Sequence, residues 1–201
     1  MRRNPASAEA KVRLSTRTRL VDAARRLLQQ RGYHGVGTAE ILALAEAPKG
    51  SMYHHFPEGK QQIAAAAVAR IGEDVLAVLR AADTKREPVD ALIRRLARGM
   101  AKWLKETNFR ESTMLASVSA CADPTLPTLQ TALHDALATW RAELTTLLIR
   151  DGVSRAAAPG LSQTILAALE GALLTARIER SERVVIEVAA QLARLVALAQ
   201  A

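Results

Sequence analysis

Alanine and leucine supply 67 of the 201 residues, 40 and 27 of them. Both are among the strongest helix formers. Gly and Pro contribute only 10 and 7 residues, and aromatics 3%. A sheet-rich fold would draw on β-branched and aromatic residues, and a disordered chain would carry far less apolar surface. The composition therefore restricts the chain to an all-α fold, long enough to bury a core without disulfides or metals. Cys121 is the single cysteine, which excludes an internal disulfide and any cysteine-based zinc cluster. Arg2 and Arg3 are followed by no apolar stretch before Lys11, so no signal peptide is expected. The longest unbroken apolar run, Ile63 to Ala69, is far too short to cross a bilayer. These features lead us to expect a reduced, cytoplasmic protein with no membrane partner.

Apolar spacing predicts about nine helices. The first begins near Ser15 and Thr16, carries Leu20, Ala23, Ala24, Leu27 and Leu28 on one stripe, and ends at Gly32. Thr38 can cap a short second helix with Ile41, Leu42, Leu44 and Ala45 inward. Pro48 opens a third, from Lys49 to about Phe56. A longer fourth runs from Lys60 to the charged stretch Asp83 to Glu87. Five more follow: Pro88 to near Asn108, Glu111 to Ala122, a long one ending at Asp151, then Leu161 to Glu179 and Ser181 to Gln200. The expected organisation is a flexible basic arm (1–14), a three-helix head (15–60) and a larger helical body (61–201).

Charge is unevenly distributed. Residues 1–60 hold 11 Lys/Arg against 5 Asp/Glu, whereas residues 61–201 hold 17 against 15. Three of the four histidines and half of the aromatics also lie in the head. A basic head on a nearly neutral body suits contact with a polyanion, although charge alone leaves a merely solvated basic face open. The second and third predicted helices, joined by Glu46-Ala47-Pro48, have the layout of a helix-turn-helix. The exposed side of the third would carry Lys49, Ser51, Tyr53 and His54, with Met52 and Phe56 facing the core. Gly50 leaves room for a close sugar-phosphate backbone.

The stretch Thr38-Ala39-Glu40-Ile41, then Ala47-Pro48-Lys49-Gly50-Ser51-Met52-Tyr53-His54-His55-Phe56-Pro57, then Gly59-Lys60, resembles the DNA-binding signature of the TetR/AcrR family of transcriptional regulators. The resemblance covers roughly residues 16–68. Its wording looks closest to the branch related to lincomycin- and flavonoid-responsive repressors. Two departures stand out: Glu46 occupies the turn position where the family usually has glycine, and Thr113-Met114 follows Phe109-Arg110-Glu111 where that branch has a Cys-Pro pair. The resemblance implies that Arg17, Thr38, Tyr53 and Lys60 contact phosphates. Lys49, Gly50, Ser51 and His54 would then lie nearest the bases or adjoining backbone.

Other chemistry finds little support. His54 and His55 are adjacent on a helix and point about 100° apart, so they form no chelating pair alone; no metal is expected. No phosphate loop and no nucleophile–base set is present, so neither a cofactor nor an enzymatic role is expected. In the body, Met100, Trp103, Leu104, Met114, Leu115, Val118, Cys121, Leu137, Trp140 and Leu144 are candidates for a ligand cavity. Plain core packing is the competing reading of the same stripes. Few charges fall on these faces, so the expected effector is a neutral or weakly polar organic compound. The last two helices carry Leu166, Leu169 and Leu173, and Val185, Val188, Leu192 and Leu195, as a candidate homodimer interface, again with core packing as the alternative. The expected whole is a homodimeric, ligand-responsive repressor of a palindromic operator on double-stranded DNA. A non-specific helical DNA-binding protein, or a helical small-molecule binder without regulatory role, are the alternatives.

Overall fold

The computed structural model describes residues 15–119 and 125–200. Cys121 and the arm of residues 1–14 lie outside the described residues. Nine helices occur among those described: α1 (Thr16–Arg31), α2 (Thr38–Leu44), α3 (Ser51–His55), α4 (Lys60–Thr84), α5 (Val89–Glu106), α6 (Met114–Ser119), α7 (Pro127–Arg150), α8 (Ala158–Glu179) and α9 (Arg183–Ala199).

Helix α1 starts where Ser15 Oγ accepts from the Thr18 N–H at 3.1 Å. It stops at Gly32, whose φ of +69° favours glycine and whose N–H reaches the Leu28 carbonyl. Glycine is needed at this end for space as well, because a Cβ there would sit 3.0 Å from the Ser117 carbonyl oxygen of α6. The start of α2 departs from the sequence expectation: Thr38 is its first helical residue, and Gly37 occupies the cap. Glu40 Oε1 accepts from the Gly37 N–H at 3.2 Å, so a side chain one turn ahead satisfies the helix start. Of the residues expected inward, Ile41 and Ala45 are buried, Leu42 is half-buried and Leu44 is exposed. Helix α3 is shorter than expected, because a turn closes before it: the Ser51 N–H and Oγ both donate to the Pro48 carbonyl. Met52 and Phe56 fill the space between α1 and α4, at 0% and 1% exposure.

The turn between α2 and α3 is strained and braced. Glu46 has φ of +48°, a conformation that costs a side-chain-bearing residue about 1–2 kcal/mol. Two features hold it there. The Ala47 N–H returns to the Leu42 carbonyl at 3.0 Å, and Arg19 on α1 donates to the Ala45 and Glu46 carbonyls at 2.9 and 3.1 Å.

Helix α4 leaves the turn at Gly59, whose φ of +66° with ψ of −132° is a glycine conformation. It packs on both α1 and α7, so one helix belongs to both head and body. A second tie joins the two parts. The Ser112 N–H donates to the Gln29 carbonyl of α1 at 2.9 Å, just ahead of α6. The sequence predicts a helix from Glu111; in the structure residues 111–113 have no regular secondary structure, and Thr113 Oγ1 caps α6 by accepting from the Ala116 N–H. In the body, α5 packs on α9, and α8 lies against both α7 and α9. The α4–α5 corner is held by Arg150, which donates to the Glu87 carbonyl at 2.6 Å and to Asp83 at 3.1 Å. Its neighbour Asp151 pairs with it and accepts from the Val89 N–H at 2.7 Å, which caps α5.

Two stability changes follow. Glu46→Gly relieves the turn and is expected to raise unfolding stability by about 0.5–1 kcal/mol in urea titration. Arg150→Ala leaves Asp151 and Asp83 uncompensated beside the corner and should lower stability by about 3 kcal/mol in the same assay.

Candidate nucleic-acid interface and effector cavity

The exposed side of the head is built by α3 together with the first residues of α1, α2 and α4. The buried pair Met52 and Phe56 fixes the rotation of α3, which leaves Tyr53 64% exposed. A tyrosine ring that open has no packing reason to be there. Lys49, Gly50 and His54 are exposed on the same side. A Cβ added to Gly50 would meet nothing within 4 Å, and its φ of −76° suits any residue. Nothing inside the chain therefore requires glycine at this position. Ser51 is half-buried, with its hydroxyl proton directed at the Pro48 carbonyl, so in this state it closes the turn. Thr38 is half-buried at the first turn of α2. The Arg17 guanidinium lies 5.3 Å from the centre of the Phe56 ring, and Lys60 Nζ lies 4.3 Å from that of Tyr33. Both cations are thereby held beside α3 on aromatic supports.

The body encloses a cavity of about 280 Å³ between α4, α5, α7 and α8, with α1 and the start of α6 at one end. Seven of the expected residues line it: Met100, Trp103, Met114, Leu115, Leu137, Trp140 and Leu144. Leu104 and Val118 do not; both are fully buried and pack into the surrounding core. Sequence reasoning missed the α4 wall (Ile71, Val75, Leu79) and the α8 wall (Ile165, Leu166, Leu169, Glu170). The α8 residues were hidden because the same apolar periodicity serves cavity, core and partner surface alike. Both indole N–H groups are engaged outside the cavity, Trp140 with the Gly72 carbonyl at 3.0 Å and Trp103 with Glu111 at 3.2 Å. The lining is apolar except for Gln29, Thr113 and Glu170. Thr113 Oγ1 donates to Glu170 at 2.6 Å, and loss of hydration pushes that carboxyl above the usual carboxylate range despite the hydrogen bond. A carboxyl in this wall was not anticipated from the sequence.

The two last helices also differ from expectation. Leu169, Leu173, Val185 and Leu192 are buried within their own chain, and Leu166 and Val188 pack partly against the same core. Of the seven residues assigned to a partner, only Leu195 is exposed. The large apolar side chains left open on these helices are Leu174 and Ile178 on α8, and Ile186, Leu195 and Leu198 on α9. No described helix is long and apolar enough to cross a membrane.

Comparison with known proteins agrees with this layout. The sequence model for bacterial regulatory proteins of the tetR family matches residues 20–67, and that for the C-terminal domain of LmrA/YxaF-like transcriptional regulators matches residues 88–191. The chain is 33% identical over 169 residues to the uncharacterised HTH-type regulator Rv0196 of Mycobacterium tuberculosis, covering 82% of this chain and 85% of that protein. It is 31% identical to the HTH-type transcriptional regulator LmrA of Bacillus subtilis, over 79% of this chain and 85% of LmrA. Among solved structures, a TetR regulatory protein from Rhodobacter sphaeroides superposes with a TM-score of 0.77 at 23% identity, covering 89% of this chain and 97% of that one. The two family models together span head and body, and the chain belongs to the TetR family of DNA-binding transcriptional regulators.

Proposed function

We propose that this regulator is a homodimeric repressor that binds a palindromic operator and leaves it when a small organic effector fills the body cavity. The single observation that carries the reading is the paired design of head and cavity. Tyr53 stands exposed on a rigidly seated α3, and the helix that follows, α4, lines the cavity at Ile71, Val75 and Leu79. In this reading residues 15–60 are the DNA-reading unit and residues 61–201 the effector and dimer unit. Regulators of this family act as homodimers with small-molecule effectors, and neither the relatives' names nor the cavity point to catalysis. We place the protein with its DNA in the cytoplasm.

On DNA, Tyr53, Thr38, Arg17 and Lys60 would hold phosphates, and Lys49, Gly50, Ser51 and His54 would enter the major groove. The open space at Gly50 supports this, since a side chain there would occupy the volume that DNA needs. Two heads about 34–36 Å apart read half-sites in successive major grooves. The exposed apolar row of Leu174, Ile178, Ile186, Leu195 and Leu198 supports a dimer face on α8 and α9. An effector between α4 and α8 needs only to bind a head spacing that mismatches the operator better than one that matches it. Gln29 gives a second route, because it lines the cavity from α1 and its carbonyl accepts from Ser112.

Operator selection from random duplexes followed by DNase footprinting should return a protected inverted repeat; protection without sequence preference would contradict the reading. Tyr53→Ala should weaken operator binding at least tenfold with the melting temperature unchanged, since the ring makes little of the fold. Ile178→Asp should convert the dimer to monomer in sedimentation and abolish operator binding with the helical signal intact.

A further inference from the structure

The cavity wall contains one acid with nothing to neutralise it. Thr113 is the sole hydrogen-bond partner of Glu170 among the described residues, and no basic side chain pairs with it there. Thr113 itself is fixed in direction: its oxygen accepts from the Ala116 N–H at 3.1 Å, so its proton goes to Glu170 Oε2. The nearest polar groups in the lining do not help. Gln29 turns its amide toward the Ser112 carbonyl, and both tryptophans spend their N–H groups elsewhere. Glu170 Oε1 therefore has no donor among the described residues, in a wall whose other polar side chains are only Gln29 and Thr113. A carboxyl so placed holds its proton more readily, and its charged form is favoured when a cation or a donor reaches it.

The position of Glu170 adds a second constraint. An outer cleft of about 330 Å³ lies between α7 and α8, and it shares Leu137, Leu166 and Glu170 with the inner cavity. Leu137, at 41% exposure, stands at the surface side of this boundary. Arg141, on the rim of the cleft, donates to Gln163 at 3.2 Å and forms no pair with Glu170. A molecule passing from cleft to cavity meets the carboxyl at the threshold. Trp103 and Trp140 line the interior beyond it, and indole rings attract cations.

We propose that the effector is an organic amine, with an apolar body in the cavity and its protonated nitrogen on Glu170. The inference rests on the cavity being the effector site and adds the effector's chemical class. It replaces the neutral compound expected from the sequence, because the one charged group of the wall sits on α8, a helix the sequence pattern assigned to a partner.

The test uses three probes of one shape: phenylbutylamine, phenylbutanol and phenylbutyrate. Binding to the full-length dimer is followed by quenching of the two tryptophans and by thermal shift. The amine is expected to bind wild-type protein about tenfold or more tighter than the alcohol, and the acid weakest. Glu170→Gln keeps an acceptor for Thr113 and should reduce the amine's advantage over the alcohol to within about twofold. Equal affinity of amine and alcohol for the wild type would overturn the proposal without any variant, as would an amine preference that survives Glu170→Gln. In both cases the cavity reading stands if the alcohol still binds and Val75→Trp blocks it. Failure of all three probes to bind, or binding indifferent to Val75→Trp, would overturn the cavity reading and this inference with it.

Discussion

Helix α4 carries two packing obligations along one rigid rod of about 37 Å. Its first half buries Ile63, Ala64, Ala67 and Val68 in the head, beneath α1 and beside Phe56. Its second half presents Ile71, Val75 and Leu79 to the cavity and buries Ala82 at the Arg150 corner. The run of alanines in the first half lets α1 approach closely, and the longer side chains in the second leave a gap instead of filling it. In the function proposed here, this continuous rod is what would carry a change at Val75 toward Lys60 and the head. A backbone hydrogen bond from Ser112, ahead of α6, to the Gln29 carbonyl of α1 is a second link between head and body. The function proposed here would depend on that packing continuity.

Local rules are broken at several places, and three of them lie in the head, the cavity wall and the α8–α9 surface. Glu46 holds a left-handed turn that glycine would adopt without strain, and Arg19 compensates by gripping two carbonyls of that turn. The turn sets the angle at which α3 is presented. Glu170 keeps a poorly hydrated carboxyl in an apolar wall. The α8 and α9 helices expose large aliphatic side chains, with Ile178 at 76% and Leu198 at 74%. Sequences that fold well keep such conflicts few, and where they persist they tend to mark sites rather than defects.

Much of this was legible in the sequence, and the limits have physical causes. Helix number and order follow from apolar spacing and from the breaks at Gly32, Pro48, Gly59 and Asp151. The head was legible in detail, because a helix-turn-helix needs particular residues at fixed spacing: Met52 and Phe56 inward force Tyr53 outward. The boundaries of α2, α3 and α6 were less so. They depend on which side chain caps which N–H, as with Glu40 on Gly37 and Thr113 on Ala116. The body resisted most. A leucine stripe at 3.6 spacing reads the same whether it meets core, cavity or a second chain. The stripe pattern allows Leu169 and Val185 a partner or the core, and Leu104 and Val118 a cavity or the core; in the structure all four pack within the core or its wall. Which stripe faces which neighbour is fixed by tertiary geometry that no single helix encodes.

The central claim is that occupancy of the cavity, felt through α4, sets affinity for DNA. Operator affinity of the Val75→Trp dimer tests it without an effector, because the added ring fills the cavity from α4 itself. Fluorescence anisotropy with the selected operator should show affinity reduced about tenfold or more, with dimer mass and helical signal unchanged. An unchanged operator affinity in a folded, cavity-filled dimer would contradict the account.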